Sequence, residues 1–207
     1  MVIPEKAECL SPTRKEHEMT DYFGLLKTRR SIREYEDRDV PLEIIKEIIK
    51  ECCLAPSAHN GQPWQFIIVN NKNLLKRLSE NIRKSFLADL EKSDDPHLKS
   101  HESILRDENF NFFYNAPCLV YILGPKDVSS LHRDCSLAGA YFMFSAAVRG
   151  LGTCWDGVGR HVRDPELLEL IGVPEDCEIV APIIIGYPKS IPEPSERKEP
   201  KILKIID

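Results

Sequence analysis

The 207-residue chain has no C-x-x-C pair, no G-x-G-x-x-G fingerprint and no surplus of basic charge. Its seven cysteines, Cys9, Cys52, Cys53, Cys118, Cys135, Cys154 and Cys177, lack metal-ligand spacing. That excludes a zinc knuckle or an iron–sulfur site and predicts reduced thiols that fill the core as small apolar groups. Without the glycine fingerprint there is no sign of a Rossmann dinucleotide crevice. Lys and Arg total 28 against 33 Asp and Glu, a net charge of −5, so there is no electrostatic footprint for nucleic acid. The longest apolar runs, such as residues 180–185, fall far short of a membrane span. The first eight residues lack the basic-then-apolar profile of a secretory leader. These absences, with 42% apolar and 29% charged residues, predict an ordinary globular protein of the cytoplasm.

The chain reads as one domain over 21–207, preceded by a polar, flexible extension over 1–20. A short helix begins at Tyr22, and a second follows Pro41 with Ile44, Ile45, Ile48, Ile49 and Cys52 at helical spacing. Gln65–Val69 reads as a strand, and about 72–86 as a helix. Residues 87–114 are charge-rich and end in Phe110, Phe112, Phe113 and Tyr114, a composition that predicts a helical hairpin or lid over a pocket rather than core. Residues 117–123 are continuously apolar, as in a strand buried on both faces. A helix over about 131–149 carries Ala138, Gly139, Ala140, Ala146 and Ala147, small enough to admit another helix closely, and stops at Gly150. A short strand at 153–156, a helix at 165–171 and a strand at 178–186 follow. Helices interleaved with apolar strands predict a sheet sandwiched by helices, α/β or α+β. The proline-rich tail beyond Pro188 ends in residues 200–206, which alternate loosely as a last strand, one that exchange across a dimer would pair.

Two segments carry the chemistry. Arg29-Arg30-Ser31-Ile32-Arg33 packs three guanidinium groups and a hydroxyl into five residues, and guanidinium presents paired donors matched to phosphate oxygens. Read alone, it is equally an exposed basic turn paired with Glu34, Glu36 or Asp37. Ala55-Pro56-Ser57-Ala58-His59-Asn60-Gly61-Gln62-Pro63-Trp64 then runs into the first strand. Asn60 and Gln62 each bring a donor and an acceptor, suited to the edge of a heteroaromatic ring. Ser57 adds a donor, Pro56 and Pro63 stiffen the backbone, and Trp64 reads as a packing anchor. His59 faces solvent or touches ligand. A ligand with a phosphate and an amide-edged ring is described, and both flavin mononucleotide and AMP satisfy it.

These segments resemble the opening of the nitroreductase family of flavin enzymes, with its R-[RH]-S-x-[RK] and P-S-x-x-N-x-Q-P-W motifs. Asp134-x-x-x-Ala138, then Gly150-Leu151-Gly152-Thr153-Cys154-Trp155, is similar to the family's central helix and its exit. Pro182-Ile183-Ile184-Ile185-Gly186-Tyr187-Pro188 is similar to its late strand and turn. The resemblance implies an α+β fold with a mostly antiparallel central sheet, and a homodimer with FMN at the interface. It places Arg29 and Arg30 toward the phosphate, with Ser31 beside them. Arg33 falls near the flavin N1/O2 edge, where a cation favours the reduced anion. Pro56, Ser57, Asn60 and Gln62 come from the partner subunit, the turn Trp155-Asp156-Gly157 offers backbone N–H groups to N5 and O4, and Arg197 and Lys198 are further phosphate cations. NADH or NADPH is implied as a transient donor, with a nitroaromatic, quinone or enone as acceptor. No catalytic side chain is implied, His59 being a candidate proton donor. Ala58 and Asp156 depart from the family's usual residues, and residues 87–114 match nothing specific. The competing readings are a non-catalytic FMN or nucleotide carrier, and a metal site built on His97-x-x-x-His101.

Overall fold

The computed structural model describes residues 22–92 and 96–206, without the side chains of His97 and Leu98. The 1–20 extension lies outside the described residues, as does the His97 half of the histidine pair. In chain order the helices are α1 (Tyr22–Thr28), α2 (Leu42–Cys52), α3 (Lys72–Leu90), α4 (Pro96–Ser100), α5 (Glu102–Arg106), α6 (Leu131–Val148) and α7 (Pro165–Ile171). The strands are β1 (Gln65–Val69), β2 (Cys118–Pro125), β3 (Gly152–Trp155) and β4 (Cys177–Gly186). They form one sheet in the order β1-β2-β4-β3, antiparallel at every pairing. The fold is α+β, an antiparallel sheet layered between helices.

The apolar run of β2 explains the layering. Side chains alternate across a sheet, so Cys118, Val120 and Ile122 face one side and Leu119, Tyr121 and Leu123 the other. The first set packs with Ile45, Ile48 and Cys52 of α2 and with Ala138, Phe142 and Ala146 of α6. The second packs with Leu75, Leu78 and Ile82 of α3, Leu105 of α5, and Leu167 and Ile171 of α7. Helix α3 starts where the Asn71 side chain accepts the Leu74 N–H. It continues to Leu90, past the expected end at Phe86, and Leu90 is itself buried.

Residues 110–114 correct one expectation. Phe112 and Phe113 belong to the core, and Phe113 is fully buried. The Phe112 N–H donates to Ser79 Oγ at 2.9 Å, and the Phe112 ring stacks on Phe86 at 6.4 Å. Phe113 belongs to the core under the sheet, while Phe112 and Phe86 also line a cavity of about 320 Å³ with Ile104, Leu105, Val158 and His161; burying aromatic side chains outweighs the polarity of the preceding segment. The small residues of α6 serve two purposes. Helix α2 packs on α6, whereas a Cβ at Gly139 would lie 3.0 Å from the Trp155 ring.

The exit from α6 sets the site. Gly150 has a positive φ of 72°, the Leu151 N–H reaches Ala146 O, and the Gly150 N–H reaches Ala147 O, which together close the helix end. Gly152 then permits close approach, since a Cβ there would sit 2.6 Å from Ile32 Cγ1. The arginine segment therefore lies flat against β3, with the Ile32 N–H donating to Thr153 O at 2.9 Å and Ser31 bridged to Thr153. The expected strand at 200–206 does not form within the subunit, and Ile202, Leu203, Ile205 and Ile206 are exposed. The β3 edge is already flanked by the Ser31 bridge, so the tail finds no partner there. No helix among the described residues is long and apolar enough to cross a membrane. All six cysteines in the described residues are free thiols, five of them buried.

Candidate functional site

The cationic half is built by α1, the stretch after it, and the junction of α6 with β3. Arg29 and Arg30 are half-buried and line a cavity of about 430 Å³ with Thr28, Gly150, Thr153 and Pro192. The Arg29 guanidinium lies 6.0 Å from the Phe144 ring centroid. Its pKa is held below the usual arginine value, first by burial and then by the charges of Arg30 and Arg197. Arg30 donates from Nη1 to Arg29 O at 2.7 Å, yet its buried Nε has no partner. Among the described residues no carboxylate pairs with Arg29, Arg30 or Arg197. The basic-turn alternative needed Glu34, Glu36 or Asp37 as partners. Instead, Glu34 accepts from Ser190 and Asp37 pairs with Lys72. The cavity is lined by Lys27, Arg29 and Arg30 against one acid, Glu193, and this excess of positive charge fits a phosphate-sized anion. Lys198 is exposed close by in sequence.

Arg33 is exposed and meets a different neighbour. Its guanidinium lies 5.7 Å from the Tyr114 ring centroid. Its pKa is raised, chiefly by the neighbouring Cys154, with Tyr114 and Asp156 contributing.

The amide-rich loop is a 3-10 turn over Ala58–Asn60. His59, Asn60 and Gln62 all have positive φ (52°, 56° and 46°), a conformation non-glycine residues rarely adopt. Hydrogen bonds hold it. The Ala58 N–H donates to Asp134 Oδ1 of α6 at 3.1 Å. The Gln62 N–H donates to Ser57 Oγ, and Gln62 Nε2 to Asn60 Oδ1, both at 3.1 Å. Asn60 Nδ2 and Gln62 Oε1 are left unused within the described chain. Pro56, His59, Asn60 and Gln62 are exposed, Ser57 is half-buried, and Trp64 is buried as the expected anchor.

The turn after β3 departs in part from expectation. The Asp156 N–H donates to Pro182 O at 2.9 Å, so this amide is spent on the sheet and cannot serve a ligand. Gly157 is exposed, with open space where a Cβ would be. Trp155 packs on Gly139 of α6. The Asp156 carboxyl turns inward, where Oδ1 accepts the Val158 N–H at 3.4 Å and Oδ2 is buried without a partner. Burial pushes its pKa up to about 7, while the Val158 N–H and Arg33 pull against that rise.

Among the described residues, the buried side-chain polar atoms without partners are Arg30 Nε, Asp134 Oδ2 and Asp156 Oδ2, all on or beneath segments named from the sequence. Native interiors leave few such atoms unpaired, so each calls for a physical explanation. Within one subunit the two halves stand apart. The amide loop is tied at Asp134 and the arginines at Phe144, ten residues on, about 15 Å along α6. Asp134 as loop anchor and Tyr114 as cover for Arg33 escaped the sequence reading, which named Asp156 as a departure from the family's usual residue but not its buried, unpartnered carboxyl. A lone acid on the buried face of a helix was the available signal for Asp134. Among the described residues no cluster of His, Cys, Asp and Glu could hold a metal ion.

The family model described as the nitroreductase family matches residues 26–187. A protein from Archaeoglobus fulgidus, provisionally named NADH dehydrogenase/NAD(P)H nitroreductase, is 33% identical over 172 residues, 83% of this chain and 87% of that one. An iodotyrosine deiodinase from Thermotoga neapolitana is 24% identical over 188 residues, covering 88% and 96%. The crystal structure of a Bacteroides fragilis nitroreductase with bound FMN superposes with a TM-score of 0.76 at 28% identity, covering 88% of this chain and 97% of that chain.

Proposed function

The chain belongs to the nitroreductase family, and on that premise we propose that it is an FMN-dependent oxidoreductase. It passes electrons from NAD(P)H to a small acceptor such as a nitroaromatic, quinone or enone, by a ping-pong sequence. The observation that carries this reading is the pair Arg29 and Arg30, which line one cavity with no carboxylate partner among the described residues, Arg30 Nε being buried without an acceptor. Arg29, Arg30 and Arg197, with Lys198, hold the phosphate. Ser31 and Arg33 serve the ribityl chain and the N1/O2 edge, where positive charge stabilises the reduced ring. Gly157 offers its N–H toward N5, the atom through which bound FMN accepts and donates hydride. Ser57, Asn60 and Gln62 read the ring edge, with Pro56 stiffening their loop. His59 is the exposed imidazole nearest that edge in sequence.

A second copy completes the site. Three observations support this: the separation of the halves along α6, the exposed apolar side chains Leu137, Tyr141 and Val148 on that helix, and the exposed apolar tail. Reduced thiols accord with a cytoplasmic setting. Deleting residues 189–207 is expected to convert a dimer to monomer and to release most of the FMN, read by light scattering and visible absorbance. A truncated chain that stays dimeric with full flavin would remove the arm from the assembly.

The reading as a whole is tested by the visible spectrum of the purified protein and its anaerobic response to NADH and NADPH. A flavin spectrum bleached by either nucleotide is expected, and names the donor. Flavin that stays oxidised would favour a carrier. A protein that binds no added FMN would sink the proposal.

A further inference from the structure

Asp156 is a buried acid that the proposed reaction does not yet use. It caps the 3-10 turn over Gly157–Arg160 through Oδ1, is 8% exposed, and leaves Oδ2 without a donor. The charged and titratable groups facing it are Arg33 and Tyr35 from the stretch before α2, Tyr114 from the end of the 87–114 segment, Tyr121 from β2 and Cys154 from β3. From β4, the Pro182 carbonyl accepts the Asp156 N–H at 2.9 Å. Two of these groups spend their hydroxyl protons elsewhere: Tyr121 on Gly159 O and Tyr35 on Ile32 O. Among the described residues Arg33 is the sole cation facing the carboxyl, and no ion pair forms. A carboxylate so enclosed is costly, and the neutral acid, which can donate from Oδ2, is the cheaper form.

We propose that Asp156 is a proton-holding residue coupled to reduction, taking up a solvent proton at Oδ2 when negative charge arrives beside Arg33 and releasing it when that charge leaves. This rests on the flavin reading above. Bound FMN would accept a hydride, two electrons and one proton, and would then carry one negative charge, which Arg33 would face. Asp156 then gains its proton, because a second negative charge near the first is disfavoured. Release of the Oδ2 proton would then supply the second proton of a two-electron, two-proton reduction of the acceptor, the first travelling with the hydride. The titration range suits the task, since the carboxyl changes charge at about pH 7, where either form is accessible.

The test has two arms. In the apoprotein, infrared difference spectra between pH 5 and pH 9 should show the carbonyl stretch of a protonated buried carboxyl, lost in Asp156→Asn. In the FMN-loaded protein at pH 7.5, anaerobic reduction should take up more protons per flavin than in Asp156→Asn, by up to one. That excess should shrink toward pH 5, where Asp156 is already neutral. Asp156→Glu should restore part of it. Asparagine keeps the oxygen that accepts the Val158 N–H, so the variant retains the turn. No infrared difference would overturn the buried acid. An infrared difference with equal proton uptake in both proteins would overturn the coupling alone. Failure to load FMN would overturn the flavin reading and the coupling, with the apoprotein spectrum still reporting the acid.

Discussion

The double variant Arg29→Ala with Arg30→Ala should lose FMN by about 10²–10⁴-fold in affinity while keeping its fold. Each guanidinium contributes a charge-assisted contact to phosphate of roughly 1.5–3 kcal/mol, and 1.4 kcal/mol is a factor of ten. The free protein does not need these contacts. Both arginines lack carboxylate partners, and Arg29 already bears the cost of burial beside Arg30 and Arg197. Removing the positive charges therefore relieves repulsion in the apoprotein even as it abolishes binding. Fluorescence titration with FMN measures the affinity, and circular dichroism controls for the fold. A double variant that purifies with a full complement of flavin would move the phosphate elsewhere.

Asp156→Asn should stabilise the protein at pH 8 by roughly 2–4 kcal/mol and leave it nearly unchanged at pH 4. The sign follows from linkage. The folded-state pKa is raised from 3.8 to about 7, so the folded protein binds more protons than the unfolded chain between those values. Its stability falls as pH rises through that window and stays low above it. A rise of this size corresponds to roughly 4 kcal/mol as an upper value. Asparagine, always neutral, avoids the penalty. Urea unfolding of both proteins at pH 4, 6 and 8 measures the difference, which should widen with pH. Parallel curves would show that Asp156 ionises in the folded protein without cost. A gain in stability with a loss of redox-linked proton uptake would identify Asp156 as a residue kept for function at the expense of the fold.

Much of the fold was legible because periodicity is local. The helical spacing of Ile45, Ile48 and Cys52 and the unbroken apolar run of β2 each demand one kind of burial, and the two-faced core supplies it. Phe112 and Phe113 misled because their neighbours are polar. Their fate depended on Phe86 and Ser79, far away in sequence, and no local pattern reports that.

The site divides in the same way. Residue types and order alone pointed the arginines and amides toward a phosphate-and-ring ligand, because donor and acceptor chemistry is a property of the side chains themselves, and the family resemblance added the turn after β3. Only the tertiary structure decided which groups are free to act. It spent the Asp156 N–H on Pro182, turned the Asp156 carboxyl inward, tied the amide loop to Asp134 and left the arginines unpaired. The physical reason is that availability and charge state depend on what surrounds a group, and in this protein those surroundings include segments 156 residues apart in the chain.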